Sequence, residues 1–109
     1  MKLTYLYHPV TDLDEGLAHF RDQLGWEEAW REGDDTVAFW TPDRSAQVMV
    51  ARTDEPAGPM YLVDSVTEWL AAHADVPVVV PRYEIPGGSV AGLTGAGGNV
   101  FYVFDMPDA

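Results

Sequence analysis

The chain states one pattern twice. "VTDLDEGL" (Val10–Leu17) aligns with "VDSVTEWL" (Val63–Leu70) at an offset of 53 residues, setting Val10 on Val63, Leu13 on Val66, Glu15 on Glu68 and Leu17 on Leu70. The same offset sets Thr41 on Thr94, the turn "PDRS" on the turn "GAGG", and "QVMVA" on "VFYVF". Identity is low, but the order of elements repeats. A repeat of this period means one supersecondary unit used twice, each copy with a face that needs covering. The 109 residues therefore read as a single domain, 1–109, of two modules, 1–53 and 54–109, with "RTDEPAGP" (Arg52–Pro59) as the link.

Each module parses alike. "LTYLYH" is rich in aromatic and aliphatic residues and reads as a strand. A helix follows, with Asp12 and Glu15 spaced as a capping box, and Ser65 with Glu68 repeating that spacing. Leu13, Leu17, Phe20 and Leu24 fall on one face at 3.6 residues per turn, and Gly25 provides a stop. "WEEAWRE", "TVAFWT" and "QVMVAR" then read as strands separated by turns at "GDD" and "PDRS". The second module gives "PMYLV", a helix near Val66–Ala74, "VPVVVPRYEI", "SVAGL" and "NVFYVF", with turns at "PGG" and "GAGG". Pro77 and Pro81 predict an edge position or an irregular path for the first of its last three strands. The expected fold class is α+β: two tandem βαβββ modules forming curled mixed sheets around a cavity.

Composition excludes several functions. Eighteen acidic residues against six basic ones give a formal charge of −12, which repels phosphate backbones and argues against nucleic acid as a partner. The absence of Cys removes disulfides, thiolate metal sites and Cys nucleophiles together. No apolar run reaches the roughly 20 residues of a membrane span, and "MKLTYLYHP" has no apolar segment of leader length, so a cytoplasmic protein without a membrane partner is expected. The glycine pairs lie in hairpin turns, not between a strand and a helix as a phosphate loop requires.

A tandem βαβββ pair of this size resembles the vicinal oxygen chelate superfamily, which includes glyoxalase I, bleomycin-resistance proteins and extradiol dioxygenases. The resemblance rests on "VTDLDEGLAHFRDQLGW" and "GAGGNVFYVFD", where Val10, Asp12, Leu13, Leu24, Gly25, Trp26, Gly98 and Asn99 match the pattern. His19-Phe20 stands where Phe-Tyr is usual. The resemblance implies a homodimer and, in the enzymes, a divalent ion held by His, Gln or Glu on the first and last strand of each module. Carried onto this sequence, those positions are Tyr5, Met49, Gly58 and Tyr102. None suits a hard or borderline divalent ion, which takes imidazole or carboxylate ligands. Nearby, His8 and Asp105 have the opposite strand parity, and Gln47 alone shares the parity of Met49. His19 and His73 fall in the helices, with surface roles expected. No metal, no cofactor and no catalytic residue is assigned.

Strand alternation then sets Tyr5, Tyr7, Gln47 and Met49 on one side of the first module, with Trp40 joining them, and Tyr102 and Phe104 on the corresponding side of the second. Rings and thioethers of this kind suit a flat aromatic molecule, and buried phenols need polar partners. The expected function is metal-free binding of a small aromatic or cationic compound, of the kind seen in antibiotic resistance by bleomycin-resistance proteins. Three alternatives stay open: a metal-dependent lyase, isomerase or dioxygenase with displaced ligands; a metal-free enzyme using a Tyr or His8 as acid or base; and a regulatory module without a ligand.

Overall fold

The structure, a computed structural model, describes residues 1–107. Among these residues eight strands and two α-helices occur in the order β1 (Lys2–Val10), α1 (Leu13–Leu17), β2 (Glu28–Glu32), β3 (Thr36–Trp40), β4 (Gln47–Arg52), β5 (Gly58–Leu62), α2 (Val66–Ala72), β6 (Val78–Ile85), β7 (Gly88–Thr94) and β8 (Val100–Asp105). The fold is α+β, with βαβββ stated twice. The described chain divides into two compact units, residues 5–57 and residues 58–107 with 1–4.

In the first unit the strand order is β2-β3-β4-β1, with β1 parallel to β4 and the other pairs antiparallel. In the second unit it is β5-β8-β7-β6, with β5 parallel to β8. The repeat extends to the register. Tyr7 pairs with Met49 in the first unit and Met60 with Tyr102 in the second, each member displaced by the 53 residues seen in the sequence. Strand β6 is outermost in its unit, and its register with β7 slips between Val78 and Val80 and again between Val80 and Tyr83, around Pro81. That is the irregular path the prolines predict.

Each helix covers one face of its own sheet. Leu17 and Phe20 pack with Val37, Phe39, Val48 and Val50. Val66 packs with Ala91, Leu93 and Val103, with Trp69 and Phe101 alongside. Gly16 lets α1 lie close against β4: a Cβ built there would lie 2.5 Å from Val50 Cγ1. In α2 the Ser65 hydroxyl accepts from the Glu68 amide at 3.2 Å, as the spacing predicts. In α1 the Asp12 carboxylate accepts instead from the Asp14 amide at 3.0 Å, one residue short of the expected partner.

One core residue differs from expectation. Leu24 is 45% exposed. The α-helix ends at Leu17, and Ala18–Gln23 continues as a π-helix, closed by the Leu24 amide on the His19 carbonyl at 3.0 Å. The i→i+5 bonding changes the phase of the apolar stripe. Phe20 stays inside, Leu24 turns out, and Trp26 packs against the cluster instead. Gly25, at φ +70, makes the reversal, with the Trp26 amide on the Phe20 carbonyl at 2.9 Å. No helix among the described residues is long and apolar enough to cross a membrane.

Candidate functional site

The helix-free face of the first unit gathers the aromatic and polar residues the core does not use. Partners in a ladder share a face. Tyr5 pairs with Gln47, and Gln47 with Trp40; Tyr7 pairs with Met49, Met49 with Ala38, and Ala38 with Trp30. Tyr5, Tyr7, Trp30, Trp40, Gln47 and Met49 are all half-buried. The Tyr5 and Trp30 rings meet edge to face, with centroids 6.0 Å apart. The Trp30 indole N–H donates to Gln47 Oε1 at 2.8 Å. The Tyr7 hydroxyl donates to Glu55 Oε1, also at 2.8 Å. Burial lifts the Tyr5 phenol above its ordinary pKa, and the Trp30 indole offsets part of that rise. Phenol, amide, thioether and carboxylate thus share one sheet face.

Of the residues singled out in the sequence, the ladder sets Tyr5, Tyr7, Gln47 and Met49 on one face. Trp40 pairs with Gln47 in register, but its ring lies under the Arg44 guanidinium at 5.3 Å. Trp30 and Glu55 are absent from that reading. A register slip between Glu28 and Trp30 breaks the alternation that would have pointed to Trp30. Glu55 lies in the non-periodic link, where no pattern assigns a direction.

In the second unit Tyr102 pairs with Met60 and with Gly92, and Phe104 pairs with Leu62 and with Val90. These too are on the helix-free face of their sheet. Tyr102 is 1% exposed, and a Cβ at Gly92 would lie 2.9 Å from its Cε1 and 3.0 Å from Val80 Cβ. The missing side chain at Gly92 makes room for the phenol ring. Phe104 is buried as well. Asp105 points the other way, as its parity predicts. Its carboxylate accepts from the Val66 amide at 2.7 Å, the Ser89 amide at 2.8 Å and the Ser89 hydroxyl at 3.0 Å. It holds α2 and β7 and belongs to the frame.

No protein-family model and no curated protein matches the sequence. Solved structures do match the fold. An NAD-dependent benzaldehyde dehydrogenase from Legionella pneumophila aligns with a TM-score of 0.76 at 11% identity over 94% of this chain and 97% of that one. Methylmalonyl-CoA epimerase from Mycobacterium tuberculosis gives 0.69 at 15%, over 95% and 87%. A glyoxalase/bleomycin resistance protein/dioxygenase superfamily member from Vibrio splendidus 12B01 gives 0.61 at 16%, over 93% and 95%. The fold is that of the vicinal oxygen chelate superfamily. At these identities the likeness is one of fold alone.

The metal positions of the vicinal oxygen chelate enzymes can be tested against the residues present. The first unit offers Tyr5, a phenol whose pKa burial raises above its ordinary value, and Met49, a soft thioether. The second offers Tyr102 and Gly58. A Cβ built at Gly58 would stand 2.3 Å from the Val100 carbonyl oxygen, so this backbone leaves no space for a ligating side chain. Among the described residues no three His, Cys, Asp or Glu side chains gather at metal-binding distance. This donor set does not fit a divalent ion.

Proposed function

We propose that the protein is a small-molecule-binding member of the vicinal oxygen chelate fold that works without a metal, and that the helix-free face of the first unit takes a flat aromatic cation. The observation that carries this reading is the pairing of Tyr5, Trp30 and Met49 with a carboxylate, Glu55, on the Tyr7 hydroxyl. Ring faces and a thioether bind a planar apolar body, and a half-buried carboxylate selects positive charge. Residues 5–57 carry 12 of the 18 acidic side chains and four of the six basic ones, a formal −8 against −4 for the rest. That field draws cations to this half of the chain.

Titration with an acridinium dye tests the proposal. Saturable binding is expected, weakened about tenfold in Glu55→Gln, the loss of one charge-assisted contact. A flat titration across planar cations in a folded sample would sink it. The metal-free part is tested by melting curves with nickel, zinc, iron(II) and manganese. No ion should raise the midpoint, whereas a specific ligand ion would stabilise by mass action.

The Tyr7–Glu55 hydrogen bond also supports a second reading, a metal-free enzyme in which these two groups exchange a proton with substrate. A methylmalonyl-CoA epimerase shares the fold, but a coenzyme A thioester is strongly anionic and the charge of −12 opposes it. Incubation with methylmalonyl-CoA in heavy water decides this: exchange at the carbon between the two carbonyls would establish it, and none is expected.

A further inference from the structure

A cleft of about 310 Å³ lies in the first unit, where the chain leaves the helix and where β3 turns towards β4. Its walls include Leu24, Trp26, Glu27, Trp40 and Arg44. Leu24 and Trp26 are there because the π-helical turn and Gly25 bring them there. Trp40 and Glu27 are joined by the Trp40 amide on the Glu27 carbonyl at 2.9 Å, which sets their side chains at one end of the sheet.

Arg44 occupies this cleft in an unusual way. Its guanidinium stands over the Trp40 ring and pairs with the Glu27 carboxylate. Its backbone is left-handed, at φ +58, the only non-glycine residue with positive φ among those described. The turn around it is held without its side chain. Asp43 Oδ1 accepts from the Thr41 hydroxyl at 2.9 Å, the Ser45 hydroxyl at 2.7 Å and the Ser45 amide at 3.1 Å, and the Arg44 amide reaches the Thr41 carbonyl at 2.8 Å. Arg44 and Glu27 are both more than half exposed, so water screens their attraction and little holds the pair closed.

We propose that Trp40 and Glu27 form a cation site of which Arg44 is the resident occupant, and that a small alkylated ammonium or guanidinium compound with an apolar body displaces it. An indole face and a carboxylate are the two groups that recognise a weakly hydrated cation. Trp26 and Leu24 supply the apolar wall for the rest of the molecule. The cleft volume is at the lower end of the range for small-ligand sites. Trp40 borders the Tyr5–Trp30 face, but the cation here is recognised by Glu27 and the Trp40 ring and not by Tyr5, Trp30 or Glu55, so the two proposals are tested separately.

Phenyltrimethylammonium is the probe, read by the indole N–H signals of the four tryptophans, assigned by single Trp→Phe variants at constant ionic strength. In the wild-type protein the Trp40 signal should move saturably. Arg44→Gly suits the left-handed backbone and removes the competitor, so it should bind about tenfold tighter, and Glu27→Gln should lose most of the binding. A Trp40 signal that stays still in both the wild type and Arg44→Gly overturns the proposal. So does equal affinity in the two proteins. Movement of the Trp30 signal alone assigns the cation to the other face and also overturns it.

Discussion

At the scale of single residues, Gly58 decides more than its size suggests. It stands where the first strand of the second module would present a metal ligand, and its missing Cβ leaves space that the Val100 carbonyl occupies. Gly58→Ala should therefore destabilise by about 1–3 kcal/mol, the usual cost of overpacking, as read by urea denaturation. Gly58→His should not create a metal site without a larger loss, which metal-dependent melting would show. Tyr5 gives a second prediction, in which the sign matters. Its folded pKa is raised because burial disfavours the phenolate. Its neutral form therefore contributes fully below the unfolded value of about 10, and that contribution falls away as pH rises from there through the folded pKa. Tyrosinate absorbance should lose a late-titrating component in Tyr5→Phe. That variant should also lose less stability than wild type in alkaline solution.

At the scale of elements, Asp105 ties three together. Removing its carboxylate strands the amides of Val66 and Ser89 in a buried place, and Asp105→Ala should cost about 2–4 kcal/mol by denaturant titration. The helix makes a contrasting case. Phe20→Ala should cost about 3–5 kcal/mol as a core truncation, and Leu24→Ala under about 0.5. A heptad-like reading would rank the two as equals. This contrast shows where sequence patterns hold. The strands were legible because alternation survives as long as the ladder has no slip, so Tyr5, Tyr7, Gln47 and Met49 share a face as their spacing says. Leu24 was not legible, because nothing in "AHFRDQL" marks a change from i→i+4 to i→i+5 bonding. Trp30 lies beyond a bulge, and Glu55 lies in a link whose path depends on contacts such as the Glu55 amide on the Thr53 hydroxyl at 3.2 Å. Period-based reading finds the residues of regular ladders and misses those set by interruptions.

At the scale of the whole molecule, duplication and charge act together. Both modules keep the same ladder register, yet they carry unequal charge and unequal faces. The helix-free face of the second includes an almost fully buried Tyr102, while that of the first keeps half-buried phenols and indoles beside a carboxylate. A duplicated fold can divide labour in this way, one copy packing its face and the other keeping polar groups on it. The field of the acidic half should then appear in binding. Charges on the surface interact over about 10 Å at 0.1 M salt and much less at higher ionic strength. An acridinium dye and an uncharged acridine analogue of the same shape separate the two contributions. The cation should bind tighter in dilute buffer, and its advantage should shrink several-fold as salt rises, because the distant acids are screened first. A remainder should survive in high salt and vanish in Glu55→Gln, since a half-buried contact is screened least. Equal binding of the two dyes at every ionic strength would mean that the rings alone recognise the ligand and that the acidic surface serves solubility.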